Sequence, residues 1–440
     1  MIVILGGGPA GRIASVRLAS AGKQVTLIEH GGIGGQCLHS GCMPVCALND
    51  VARLIHAARE LRDLGVVDAV PVPDFPVLLK KMGEIQRKIA SILDKETKSA
   101  GVDIIYGRTG RLAGGIAWAD DEKLKADAVI AATGSRPLVP VIPGIDLPGV
   151  FMPRTLQAMG DLPKKMVIIG GSVAAAEFAY IFSTFGCSVT ILSRSTFLKD
   201  ADRHLRALAL QELAGVTIRE NIPVTEIRGN GRVGSVSIPN GEIAADAVFL
   251  AAGIVPNSGS LEGLRKGPLG EVVVDNHMRT SVADVYACGD VAGPPYLTPV
   301  ARQQGIVAAD NILGIPRTMD YRNIPRSISL THELASCINE TEGMGSIAIP
   351  GPAGPGSFWS VPSGQTGLAK VIFEPESGEL AGVCAAGPGG GFIAGYMAFL
   401  MKKHFSVHDF EDFIEVHPST DGVYGLAKYA STVLKKRKPL

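Results

Sequence analysis

Apolar positions in this chain fall into short runs, and glycine closes most of them. Ile2-Val3-Ile4-Leu5 is a continuous apolar run that ends at Gly6-Gly7-Gly8, the pattern of a strand buried on both faces. A helical stretch follows through Ala21, and Gln24 to Ile28 reads as a second strand closed by Glu29. Strand, glycine turn, helix and strand make a βαβ unit, which predicts a parallel sheet. The pattern returns mid-chain. Met166-Val167-Ile168-Ile169 runs into Gly170-Gly171-Ser172, then a helix of small residues, then Ser188-Val189-Thr190-Ile191-Leu192. Two copies of one nucleotide-binding unit predict two dinucleotides on one chain.

Between the copies the pattern predicts a long polar helix over Phe75 to Lys98 and a strand over Asp103 to Tyr106. The apolar segment Ala128 to Gly134 has a counterpart in Ala247 to Gly253. Pro137 to Gly149 and Pro256 to Gly270, rich in Pro and Gly, read as domain crossings. From about Ile324 strand-like runs (Gly367 to Phe373, Glu379 to Ala385) precede helices, predicting an α+β terminal domain. Lys435-Lys436-Arg437-Lys438 reads as a solvated tail.

Composition narrows the class. The 440 residues suggest about three domains. Lys+Arg and Asp+Glu are both 42, which removes the electrostatic reason to propose nucleic acid or an anionic membrane as partner. Apolar residues at 46% supply ample core, while 19% charged residues argue against long disorder. No apolar stretch reaches membrane-spanning length, and no targeting segment precedes the first strand. The expectation is a soluble, cytoplasmic protein. Its seven cysteines are then not expected to form a structural disulfide framework.

Three clusters carry chemistry. Gly6-x-Gly8-Pro9-Ala10-Gly11, with a strand before it and a helix after, is a dinucleotide fingerprint: the turn brings the backbone to a pyrophosphate at the helix N-terminus. Glu29 at the end of the second strand is placed to accept bonds from ribose hydroxyls. In the second copy Gly170 and Ala175 fit, Ser172 replaces the middle glycine, and Ser193 stands at the position of Glu29. Arg194 and Ser195 follow, with Lys199 as a second cation. An acid there would repel a 2′-phosphate, whereas cations and hydroxyls favour it, so the nucleotide expected is NADP rather than NAD. The third cluster is Cys37-Leu38-His39-Ser40-Gly41-Cys42, followed by Met43-Pro44 at the start of a helix. Two cysteines at that spacing can close a small disulfide, and the helix terminus favours a thiolate. Zinc is the competing reading, but no second pair or histidine sits at ligand spacing, and no metal site is expected.

Gly34-Gly35-Gln36-Cys37 through Gly41-Cys42-x-Pro44 resembles the redox-disulfide motif of the pyridine nucleotide-disulfide oxidoreductases, the family of dihydrolipoamide dehydrogenase, glutathione reductase and mercuric reductase. The resemblance runs the length of the chain. Thr133-Gly134 resembles the segment where the family's flavin and nicotinamide domains meet, with Gly253 in the corresponding later place. Gly289-Asp290 resembles its second flavin motif, and Thr298-Pro299 the segment beside the isoalloxazine. His417-Pro418-Ser419-Thr420 is similar to its C-terminal His-Pro-Thr motif. The resemblance implies an α/β chain with two Rossmann-like domains, for FAD and NAD(P), and a C-terminal α+β dimerisation domain. The division expected is 1–147 for FAD, 148–262 for NAD(P), 263–322 for the second part of the FAD unit, and 323–440 for dimerisation. It implies a homodimer in which His417 reaches the partner's disulfide as general acid and base. Cys42 would be the thiolate next to the flavin and Cys37 the interchange thiol, passing electrons from NAD(P)H to a small disulfide, with dihydrolipoamide dehydrogenase the nearest relative. Glu177 matches a glutamate near flavin N5.

Three positions depart from the family pattern. Pro44-Val45-Cys46 stands where Pro-Ser-Lys is usual, which removes the lysine that pairs with Glu177. Without it Glu177 is expected to rise in pKa or find another partner. Cys46 reads either as a third thiol one helical turn beyond Cys42 or as a small buried filler. Gly422 replaces the glutamate that orients the histidine, with Asp421 the available substitute. Val173 occupies the place of the glutathione reductases' tyrosine gate, and no cysteine follows Cys384, so the C-terminal cysteine pair of mercuric reductases is missing. Competing readings are an NADPH-dependent reductase of another thiol disulfide, a flavin oxidase or transhydrogenase, and an electron-transfer subunit or redox sensor.

Overall fold

A computed structural model describes residues 1–339, 343–349, 364, 367–417 and 419–437. Pro418 and Lys438 lie outside these residues. The first apolar run forms β1 (Ile2–Leu5), followed by α1 (Pro9–Ser20), β2 (Val25–Glu29), the short α2 (Gly35–His39), α3 (Cys42–Asp63), α4 (Phe75–Ser99) and β3 (Val102–Tyr106). These strands join a parallel sheet ordered Val285–Ala287, Ala128–Ala131, β1, β2, β3. Its outermost strand arrives late in the chain, so the first unit is completed only after the second has been threaded. The fully buried strand Ile2–Leu5 explains the unbroken apolar run.

The second parallel sheet is ordered Thr217–Arg219, Ser188–Leu192, Lys165–Ile169, Ala247–Leu250, Val150–Phe151. It carries α5 (Val173–Thr184) and α6 (Arg203–Glu212). The two βαβ units superpose in register: Leu5 pairs with Ile28 in the first and Ile169 with Leu192 in the second. Glu29 and Ser193 are therefore equivalent by geometry. The chain crosses between the sheets in two segments, Ser135–Pro137 and Ile254–Pro256, which pair antiparallel.

After α7 (Thr298–Ile312) the chain builds a five-stranded antiparallel sheet, Arg326–Ser329, Glu333–Ile338, Leu380–Gly387, Leu368–Phe373, Gly345–Ile349, with α8 (Gly390–Lys402) and α9 (Gly422–Arg437). A shared core fastens this unit to the nucleotide unit. Leu48, Ala52 and Ile55 on one face of α3 pack with Phe178, Phe182, Phe249, Leu330 and Leu334. That packing fixes the rotation of α3, and with it the adjoining face that bears Cys42 and Cys46. Two three-stranded antiparallel ribbons, over Gly110–Leu124 and Glu226–Ala244, were not expected from the sequence pattern. No helix among the described residues is long and apolar enough to cross a membrane.

Candidate active site

The first glycine turn is built for close backbone approach. Gly11 sits where a Cβ would lie 2.0 Å from the Gly6 carbonyl oxygen, so only glycine lets α1 start tight against β1. Gly8 caps α1 and Pro9 opens it, with Ala10 buried behind. Glu29 folds both oxygens back: Oε2 accepts from Gly7 N at 2.6 Å and Oε1 from Gly31 N at 2.7 Å. The carboxylate thus shapes the turn and keeps a lone pair on each oxygen for a hydroxyl. Gly35 and Gln36 begin α2 beside this turn; a Cβ at Gly35 would lie 2.7 Å from the Gly8 Cα.

Opposite the turn, Gly289 N donates to Gln304 Oε1 at 2.7 Å, and Asp290 accepts from Ser135 Oγ at 2.6 Å. Ser135 Oγ also lies 3.3 Å from Gln36 Oε1. Burial pushes the Asp290 carboxyl up, eased by the Ser135 hydroxyl. A half-buried acid with one side-chain partner and a free oxygen suits a polyol. Thr133 Oγ1 donates to Asn257 O at 2.7 Å, and Asn257 N donates to Gly134 O at 2.9 Å, which ties the two crossing segments together. Gly253 O accepts from Leu138 N at 2.9 Å in the same crossing. The turn, the helix end and the polar wall fit an FAD; residues 6–11, Glu29 and Asp290 would hold it.

A second cleft of about 880 Å³ opens over the other glycine turn, lined by Gly170, Ser172, Arg194, Lys199, Tyr296 and Arg326 among others. Its size suits a dinucleotide. Ser172 Oγ donates to Ala251 O at 3.3 Å, and Ala175 is fully buried under the turn. Ser193 is buried because Gly171 makes room: a Cβ there would lie 2.1 Å from Ser193 Oγ. Arg194 and Lys199 project, exposed, at the cleft rim, with Asp200 also in the lining. Val173 lines the cleft at 38% exposure.

The cysteines stand where α2, α3 and α7 meet. Cys42 is the first residue of α3, and its Sγ lies 3.7 Å from Oγ1 of Thr298, the first residue of α7, with Pro299 next. Two helix N-termini therefore converge on one sulfur pair, an arrangement that favours negative charge. Cys37 and Cys42 are free thiols in hydrogen-bond contact. That bond brings Cys37 down to about 6, with Thr298 and Arg302 pulling the same way against burial. The shared proton and burial push Cys42 up. The hydrogen bond between the two sulfurs and the helix ends around them favour negative charge on the pair.

Cys46 is exposed, one turn beyond Cys42, which corrects the reading of it as a buried filler. The apolar face of α3 fills the core instead. Partial desolvation raises its thiol pKa, with Cys42 and Glu177 adding to the effect. Glu177, on α5, accepts from Ser329 N at 3.0 Å. Burial pushes it up to about 7, seconded by Cys42 and opposed by the Ser329 N–H and Arg53. The expected rise is therefore present together with a new partner. In the C-terminal unit His417 Nδ1 lies 2.6 Å from Asp421 Oδ2. Arg53, Ser135, Ser329, Arg302, Gln304 and Arg326 had no signal in the sequence, because their partners lie far along the chain.

The profile of the pyridine nucleotide-disulphide oxidoreductase family matches residues 1–305, and that of its dimerisation domain residues 355–427. The chain belongs to this family: it is an FAD-dependent, NAD(P)H-linked disulfide oxidoreductase. It is 28% identical over 442 residues to a dihydrolipoyl dehydrogenase of Bacillus subtilis, covering 95% of each chain. It is also 28% identical to a mercuric reductase of Shigella flexneri, covering 100% of this chain and 82% of that one. In structure it resembles the HOCl-induced flavoprotein disulfide reductase RclA from Escherichia coli, with a TM-score of 0.85, 25% identity and full coverage of both chains.

Proposed function

We propose that the protein is a homodimeric, NADPH-preferring reductase of a small disulfide, of lipoyl type or a related thiol, with domains divided at 147/148, 262/263 and 322/323. The observation that carries this reading is the hydrogen-bonded Cys37–Cys42 thiol pair at the N-termini of α3 and α7, with Cys42 Sγ 3.7 Å from Thr298 Oγ1. FAD, when bound, supplies the carrier that takes a hydride from the nicotinamide and passes an electron pair to the cysteine disulfide. Cys37, already ionised near neutral pH, attacks one sulfur of the substrate and forms a mixed disulfide. The departing thiolate takes a proton from the imidazolium of His417, contributed by the second subunit, which leaves the ring neutral. Cys42 then gives its proton to that imidazole and attacks Cys37 Sγ. The second substrate sulfur leaves as a thiolate and takes that proton from the imidazolium, the cysteine disulfide is restored, and two electrons and two protons have passed to the substrate. Thr298 and the helix ends hold the pair's negative charge.

Arg194 and Lys199, with Ser193 and Ser195, form the end of the nucleotide cleft that would meet a 2′-phosphate. Sustained turnover tests the reading. With excess NADPH, oxidised lipoamide or another small disulfide should be reduced catalytically; reduction that stops at one equivalent per subunit would favour a redox sensor.

A further inference from the structure

Four residues of α3 form one stripe at helical spacing: Cys42, Cys46, Asn49 and Arg53. Cys42 belongs to the dithiol and Cys46 lies near it and Glu177, whereas the last two reach a different part of the chain. Arg53 Nε donates to Leu330 O at 2.7 Å, and its Nη2 donates to Ser329 Oγ at 3.0 Å. Asn49 Nδ2 reaches Ser329 O at 3.1 Å, Ser329 Oγ at 2.9 Å and Leu330 O at 3.1 Å. Ser329 in turn aims its backbone N–H at Glu177 Oε1, 3.0 Å away. The carboxylate is thus held by a peptide donor whose own hydroxyl and following carbonyl are clamped by a guanidinium.

We propose that Arg53 is the positioning residue for Glu177, acting through the Ser329–Leu330 turn to stabilise its ionised form in place of a cation at position 46. Among the described residues, Arg53 is the cation that acts on Glu177. The other groups facing the carboxylate are acidic when ionised: Cys42 and Cys46 from α3, with Glu333 acting on Cys46 from the neighbouring strand. A purely structural role is the weaker explanation. Asn49 already bonds the same Ser329 and Leu330 acceptors, so the turn stays tied to α3 without the guanidinium. What Asn49 cannot supply is positive charge. Glu177 titrates at about 7, so modest changes of field alter its charge at neutral pH.

This inference rests on Glu177 taking part in electron transfer from the nucleotide, and the test separates the two ideas. The FAD-loaded dimer is mixed with NADPH in a stopped-flow instrument across pH 5.5 to about 9, and the rate of flavin reduction is fitted for its midpoint. Glu177→Gln should remove that midpoint; if it stays, the carboxylate is not the titrating group and the reading of Glu177 fails. If Glu177 does titrate, Arg53→Gln should move the midpoint upward by roughly half a pH unit or more, and Arg53→Lys should restore most of it. Arg53→Gln that slows the reaction equally at every pH, with the midpoint unmoved, would overturn the proposal. Should Arg53→Gln fold poorly, Ser329→Ala keeps the backbone donor, removes one guanidinium contact and should move the midpoint in the same direction; an unmoved midpoint there would count against the proposal equally.

Discussion

His417 Nδ1 lies 2.6 Å from Oδ2 of Asp421, four residues on, and the two side chains differ sharply in exposure, 73% against 9%. A carboxylate accepts, so Nδ1 carries the hydrogen in this pair, which leaves Nε2 as the nitrogen that would exchange a proton in the proposed reaction. A glutamate one residue further on would start from Gly422, the first residue of α9. The shorter Asp421 reaches the ring from the preceding turn instead. Its other oxygen is buried without a hydrogen-bond partner among the described residues, so the aspartate is committed to the histidine.

Asp421→Asn should therefore lower disulfide turnover by about tenfold or more, because proton transfer of this kind contributes about 10²–10⁴ in rate. Flavin reduction by NADPH should be unchanged, since that half-reaction does not use His417. Steady-state turnover and stopped-flow reduction, measured side by side, check both statements.

Cys37→Ser should abolish turnover of the disulfide and leave FAD binding intact. The serine cannot form the mixed disulfide, whereas the glycine turn, Glu29 and Asp290 are untouched. Residual turnover at the wild-type rate would exclude Cys37 as the attacking thiol.

The lowered pKa of Cys37 has a direct readout. Its thiolate is present above about pH 6 and is lost as pH falls through that value. Iodoacetamide alkylation of the NADPH-reduced protein should rise with a midpoint near pH 6, and Cys37→Ser should eliminate that phase. A midpoint near the ordinary thiol range would show that the pair does not share its proton as described.

Arg194→Glu should reverse the nucleotide preference. Loss of one charge-assisted contact and introduction of a like charge should cost NADPH about 10- to 100-fold in kcat/KM relative to NADH. Parallel kinetics with the two nucleotides test this, and unchanged selectivity would show that Arg194 does not meet the phosphate.

Features set by neighbouring residues were legible in the sequence. The glycine turns, their flanking strands and the cysteine pair are read within a dozen residues, and the sheet register bears out the equivalence of Glu29 and Ser193. The Asp421 substitution is likewise local. Contacts closed by threading were not legible. Arg53 and Ser329 are separated by 276 positions, and Ser135 and Asp290 by 155, so no local pattern marks either pair. The two antiparallel ribbons were missed because their strands are short and their exposure alternation spans only a few residues, as in Ile116–Ala119. The two readings of Cys46 could not be separated for a related reason: its exposure depends on which face of α3 the aromatic core of α5 selects.

The dithiol itself is tested most directly by an anaerobic spectral titration of the FAD-loaded protein with NADPH and NADH in parallel. The dithiol mechanism predicts that two electrons per subunit produce a long-wavelength thiolate–flavin band, that Cys42→Ser eliminates it, and that NADPH is the more effective donor. Direct bleaching of the flavin by two electrons, with no such band, would contradict it.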